Sequence, residues 1–187
     1  MRLFVAIELP EYAAAHLGKM QDALRPLIDA RWTPPEQLHL TLKFLGETPD
    51  QRVDHLLKSL QTVRIDAEIS LRVNGLACFP PRGPVRIIAA GLEDAGAQCA
   101  RLQERLDRAC NAAGFALEGR SWTAHVTLAR LKNGAAVAVR ERAAAAAVAG
   151  LLPGPVFSAE EFAVFESRLG RQGPVYMRIA SEKIKNS

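Results

Sequence analysis

The chain has 187 residues, of which 49% are hydrophobic and 24% charged, the proportions of an ordinary soluble globular protein. That balance excludes a disordered tail, a collagen-like chain and a coiled-coil rod. A single domain spanning 1–187 is long enough to bury its own core, and a net charge of +4 favours anionic partners over cationic ones.

In chain order, RLFVAIE (2–8) alternates and predicts a strand. Pro10 suits the first turn of a helix, and Leu17, Met20, Leu24, Leu27 and Ile28 recur at helical spacing over 11–29. TPPEQ (33–37) reads as a loop and LHLTLKFL (38–45) as a strand, with a helix over 50–63 carrying Val53, Leu56, Leu57 and Leu60 on one face. IDAEISLRVNGLACF (65–79) and VRIIAAGL (85–92) read as strands joined by the turn PPRGP (80–84). A helix follows over 94–113, with Cys99, Leu102, Leu106 and Cys110 on one stripe. WTAHVTLARL (122–131) predicts a strand and the alanine-rich 135–149 a helix. Two strands (156–167 and 174–184) close the chain around a glycine-rich turn at 170–173. Helices mixed with adjacent strand pairs give an α+β fold with antiparallel hairpins and helices on sheet faces.

The longest apolar run near the N-terminus, Leu3 to Ile7, is too short for a signal peptide or a membrane span. Cys78, Cys99 and Cys110 are odd in number, and Cys99 and Cys110 stand about 16 Å apart along one predicted helix. They read as small buried apolar residues in a reducing compartment, so a cytoplasmic protein is expected.

The informative feature is an internal repeat. HLTLKFL (39–45) and HVTLARL (125–131) share His, Thr, Leu and a final Leu in a chain with four histidines. On a strand, residues i and i+2 share a face, so His39 with Thr41, and His125 with Thr127, each offer an imidazole and a hydroxyl to one surface. Two imidazoles across a cleft suit proton transfer in both directions near neutral pH, and threonine hydroxyls can donate to phosphate oxygens. Arg130 would stabilise developing negative charge. Strict alternation, however, turns it to the opposite face from His125 unless the strand ends, twists or bulges near Ala129. Lys43 and Phe44 are secondary candidates, Lys43 because alternation puts it on the face of His39 and Thr41. Phe44, Phe79, Trp32 and Trp122 are expected chiefly to pack, with base stacking the alternative. His16 and His55 lie outside the repeat and read as structural or surface residues. No HxH, HExxH, cysteine cluster, P-loop or G-x-G-x-x-G is present, so neither a metal nor a nucleotide cofactor is expected.

The paired HxTx motifs resemble those of the 2H phosphoesterase superfamily, and most closely its RNA 2',3'-cyclic phosphodiesterases, also called 2'-5' RNA ligase-like proteins. RWTPPEQLHLTLKFLGE (31–47), GLACFPPRGPVRIIAAGL (75–92), TAHVTLARL (123–131) and FAVFESRLGRQGPVYMRI (162–179) carry the resemblance over nearly the whole chain, with Ala124 where proline is expected. The resemblance implies a bilobal pseudo-two-fold fold, with two antiparallel-sheet lobes and outer helices around a central cleft. It implies metal-free hydrolysis of RNA 2',3'-cyclic phosphate ends to 2'-phosphomonoesters, with His39 as proton donor and His125 as proton acceptor. Thr41, Thr127 and Arg130 would hold the phosphate, and the expected species is a monomer acting on RNA or nucleotide ends, away from membranes. A 2'-5' RNA ligase, a hydrolase of another cyclic or 2'-5' phosphodiester, and a non-catalytic RNA-binding module are the alternatives.

Overall fold

The computed structural model describes residues 1–65, 67–135, 144–170 and 173–184, with the backbone alone for 132–135. In chain order the elements are β1 (Arg2–Glu8), α1 (Glu11–Leu24), β2 (Arg31–Trp32), β3 (His39–Glu47), α2 (Asp50–Leu60), β4 (Ile69–Phe79), β5 (Val85–Glu93), α3 (Gln98–Ala112), β6 (His125–Ala135), β7 (Val156–Ala159), β8 (Glu161–Gly170) and β9 (Gly173–Lys183). Residues 144–148 are helical. Ala135, where the helix predicted over 135–149 is expected to begin, instead ends β6, and Ala149 opens a short 3-10 turn; residues 136–143 of the predicted helix and 171–172 of the predicted turn lie outside the described residues.

The strands form an antiparallel array in the order β7-β4-β5-β6-β3-β1-β8-β9, with β2 beside β6. Two four-stranded lobes, β9-β8-β1-β3 and β6-β5-β4-β7, meet where β3 pairs with β6 through Leu40 and Val126. This is the expected α+β architecture, with the two motif strands side by side at its seam.

Several boundaries differ from the sequence expectation. Helix α1 stops at Leu24 instead of running to 29, because Pro26 lacks an N–H and cannot continue the ladder. Helix α3 starts at Gln98 instead of 94, where the Asp94 carboxylate accepts the Gln98 and Ala100 backbone N–H groups, both at 3.0 Å. The strand predicted over 156–167 is two strands. β7 pairs with β4 and β8 with β1, at opposite ends of the strand order, with only Glu160 between them. That short link requires the sheet to curl until its ends approach each other. Consistent with this, the Ile65 N–H, just before β4, donates to the Ile184 carbonyl, just past β9, at 3.0 Å.

One face of the sheet carries the main core. Leu3, Val5 and Ile7 of β1, Leu40 and Leu42 of β3, and Val126 and Leu128 of β6 are buried together with Leu17 and Met20 of α1, Leu56 of α2 and Leu102 and Leu106 of α3. The other face carries a smaller cluster of Phe4, Ala6, Ala163 and Phe165 beneath Tyr176. Cys99 and Cys110 lie on the buried stripe of α3, where burial pushes their thiols up to about 12, and Cys78 is half-buried on β4.

Both motif strands break alternation at the same place. Against β1, Ala6 pairs with Thr41 but Val5 pairs with Lys43, so Leu42 is an extra residue. Against β5, Ala89 pairs with Thr127 but Ile88 pairs with Ala129, so Leu128 is an extra residue. Each bulge puts two consecutive residues on the core side, Leu42 with Lys43 and Leu128 with Ala129, all of them buried. Lys43 therefore does not share the face of His39 and Thr41, as alternation predicts. Its side chain, 3% exposed, forms an ion pair with Asp107 of α3 and donates to the Ala116 carbonyl at 2.8 Å. It holds β3 against α3 and contributes nothing to the cleft.

Removing one partner of this buried pair leaves the other charge uncompensated. Asp107→Ala should therefore destabilise the fold by about 3 kcal/mol, read as a lowered urea midpoint at unchanged slope.

Candidate active site

The bulges determine which side chains reach the second face of the sheet. Past Leu42 and Lys43 the parity of β3 inverts, and Phe44 joins His39 and Thr41. Past Leu128 and Ala129 the parity of β6 inverts likewise, and Arg130 joins His125 and Thr127. All six line one cleft of about 740 Å³. Arg130 thus stands on the histidine face, by the local irregularity that its odd spacing from His125 demands. Phe44, 64% exposed, is a cleft-lining residue and not core. Trp122 donates its indole N–H to the Thr41 carbonyl at 3.1 Å, and Trp32 packs against the core under Arg25, so both serve structure.

The single β3–β6 pair sets the mutual placement of the motifs. With Leu40 opposite Val126, an antiparallel ladder sets His39 across from Thr127 and Thr41 across from His125. The two histidines then lie on a diagonal, about 7–8 Å apart at the backbone in an undistorted ladder.

Each imidazole is held in the same way. The His39 Nδ1 lies 2.7 Å from the Gln37 carbonyl, and the His125 Nδ1 lies 2.7 Å from the Thr123 carbonyl. A carbonyl only accepts, so Nδ1 carries the hydrogen in both rings and the neutral form leaves Nε2 as the basic atom. These carbonyls, each two residues before its histidine, left no trace in the sequence, because every residue, whatever its side chain, offers the same group. The Gln37 side chain also donates to the Pro174 carbonyl at 2.9 Å and ties the start of β9 to the loop beside His39.

The surroundings of the two rings differ. His39 packs between Phe4, at 5.0 Å between ring centroids, and Tyr176, edge-on at 5.4 Å. His125 packs against Phe79 at 4.6 Å. Burial lowers the His39 pKa below the usual 6.5, against the raising effect of its hydrogen bond to Gln37, and the Arg130 charge lowers it further. Tyr176 is a site residue that the repeat alone does not reveal. It enters from β9, where it pairs with Ser167 of β8, a further cleft-lining residue.

Beyond this cleft, His16 of α1 is partly buried, with its Nε2 unpartnered. Among the described residues no three or more His, Cys, Asp or Glu side chains are grouped to hold a metal ion, and no helix is long and apolar enough to cross a membrane.

A family model, one relative and two solved structures bear on this arrangement. The family model described as LigT like Phosphoesterase matches residues 7–89 and 91–176, one motif in each stretch. An RNA 2',3'-cyclic phosphodiesterase of Thermus thermophilus is 35% identical over 186 residues, covering 94% of this chain and 86% of its own length. The crystal structure of TT0787, also of Thermus thermophilus, is similar at a TM-score of 0.77 and 30% identity, covering 99% of this chain and 98% of that one. E. coli LigT complexed with 3'-AMP shares the fold at a TM-score of 0.77 and 21% identity, with 99% and 98% covered.

Removing the Arg130 charge should release part of the depression on His39. In Arg130→Met the His39 ring should titrate at higher pH than in the parent protein, measured from imidazole chemical shifts; an unmoved or lowered value would place Arg130 out of electrostatic reach.

Proposed function

The chain belongs to the LigT-like phosphoesterase family, and from that premise we propose that it hydrolyses RNA 2',3'-cyclic phosphodiester ends to 2'-phosphomonoesters by general acid–base catalysis between two histidines. The observation that carries this function is the matched pair of imidazoles, His39 and His125. They line one cleft, each with Nδ1 tied to a carbonyl two residues upstream and Nε2 left to exchange protons. Binding alone requires no such pair of titrating groups.

In the reaction, the His125 Nε2 takes a proton from water as the water oxygen bonds to phosphorus. The bond from phosphorus to the 3'-oxygen breaks, and the His39 Nε2–H gives its proton to that oxygen. The hydroxyls of Thr41 and Thr127 donate to the non-bridging oxygens, and the Arg130 guanidinium offsets the charge that accumulates there. His39 is the acid, as the family resemblance implies, and its lowered pKa makes the imidazolium a stronger acid but a scarcer one. The anionic substrate restores its proton on binding, because negative charge beside an imidazolium raises its pKa.

Both motifs come from one chain, so one copy completes the site and a monomer suffices. The three cysteines, none of them in a disulfide, suit a reducing compartment, in keeping with a cytoplasmic enzyme.

The test is turnover of an oligonucleotide ending in 2',3'-cyclic phosphate, in excess EDTA, with the product identified by phosphorus NMR. A 2'-phosphomonoester is expected. No turnover, or turnover that returns only when zinc or manganese is supplied, would overturn the proposal.

The pH dependence has a defined sign. kcat/KM reports the free enzyme, where His39 loses its proton below 6.5, so its alkaline limb should fall on the acid side of the limb in kcat, where bound phosphate holds the proton in place. Coincident alkaline limbs would mean that the substrate does not recharge His39.

A further inference from the structure

We propose that Gln21, on a helix outside the cleft, is a positioning residue for Arg130: it holds open the β6 bulge that turns Arg130 toward the phosphate. This proposal rests on the hydrolase activity proposed above and adds to it a determinant of the charge-stabilising group.

A bulge leaves the extra residue's backbone groups out of register with the neighbouring strand, and a buried carbonyl must find its donors elsewhere. The extra residue of β6 is Leu128, fully buried. Its carbonyl accepts the Thr33 N–H at 2.9 Å and the Gln21 Nε2–H at 2.9 Å. The same amide donates to the Thr33 carbonyl at 2.8 Å, so both amide hydrogens are used. Gln21 is 1% exposed, in a region of α1 where its neighbours Leu17, Met20 and Leu24 pack in the core. A buried glutamine beside those side chains is costly unless its hydrogen bonds are made. Its amide joins the bulge to the residue after β2, and β2 in turn pairs Trp32 with Ala129 and Arg31 with Arg130. The amide therefore braces the two-residue stretch in which β6 reverses its parity.

The mirror position supports the same logic. In α3 the buried Gln103 donates to the carbonyl of Leu42, the extra residue of β3, at 3.4 Å. The sequences KMQDAL (19–24) and RLQERL (101–106) align these glutamines in the two helices. Each helix thus reaches the bulge of a motif strand, the tighter bond being the one behind the arginine.

The experiment is a double-mutant cycle of Gln21→Met and Arg130→Met, with hydrolysis of the cyclic-phosphate oligonucleotide and the titration of His39 as readouts. His39 is also faced by Tyr176 of β9 and by Glu8, its cross-strand partner on β1, with His125 on β6; neither substitution alters these groups. Q21M should lower kcat/KM about tenfold or more in the parent background, as expected for a misplaced transition-state contact. It should cost less than about twofold in the R130M background, since the cycle should show the two acting through one contact. In Q21M the His39 titration should move upward, in the direction expected for R130M. Losses that multiply in the double variant, or a His39 titration unmoved by Q21M, would overturn the proposal. So would full activity in a folded Q21M protein. If Q21M does not fold, Gln21→Asn keeps the amide but falls short by one methylene, and the same cycle applies. If the parent protein fails to hydrolyse the substrate, the activity is refuted, while the His39 titration still decides whether Gln21 places Arg130.

Discussion

Alternation along a β-strand is the constraint from which the site follows. A histidine and a threonine two residues apart share a face without effort, but a third group five residues past the histidine lies on the wrong side. Both motif strands place such a group at that odd spacing, Phe44 after His39 and Arg130 after His125. One extra residue in each strand, Leu42 and Leu128, reverses the parity between threonine and third group. The same extra residue turns two consecutive side chains to the core, so the bulge serves packing on one face and the cleft on the other.

The two halves are built alike and furnished differently. Each contributes a strand, a helix with a buried glutamine, and a motif strand with a bulge, and the halves meet at Leu40 and Val126. At matched positions, however, one half presents an aromatic ring and the other a guanidinium. Phe4 and Tyr176 enclose His39, whereas His125 has Phe79 as its ring partner. A symmetric frame with unlike contents suits a reaction in which one imidazole gives a proton while the other takes one. The Lys43–Asp107 pair belongs to this pattern too. β3 carries a charge where β6 carries Ala129, and a carboxylate on α3 answers it.

Much of the fold was legible in the sequence, because hydrophobic periodicity reports which face of an element is buried. The α3 stripe and the alternation of β4 left little choice, whereas β1, which reads as alternating, is buried on both faces from Leu3 to Ile7. The division of 156–167 into β7 and β8 was not legible, since both pieces read as strand and only the curl of the sheet separates their partners. In the site, the repeat exposed His39, Thr41, His125 and Thr127 directly. Lys43 was misplaced and Arg130 left unresolved for one reason: a bulge shifts parity without any residue type that announces it. Leu42 and Leu128 are ordinary strand residues, and neither glycine nor proline marks the irregularity. The carbonyls of Gln37 and Thr123 were illegible because backbone groups carry no sequence signal. Tyr176 lay hidden because its role depends on the β8–β9 hairpin docking against β1, which brings its ring beside Phe4 and His39.

The central claim is that His39 and His125 act as one unit on one phosphate. The most direct measurement is single-turnover hydrolysis of the cyclic-phosphate oligonucleotide by His39→Ala, His125→Ala and the double variant, each shown to be folded by circular dichroism. Each single loss should be at least about a hundredfold, and the double variant should be little slower than the slower single, because removing either partner already disables the pair. Near-wild-type turnover by His39→Ala, or single losses that multiply in full, would contradict it.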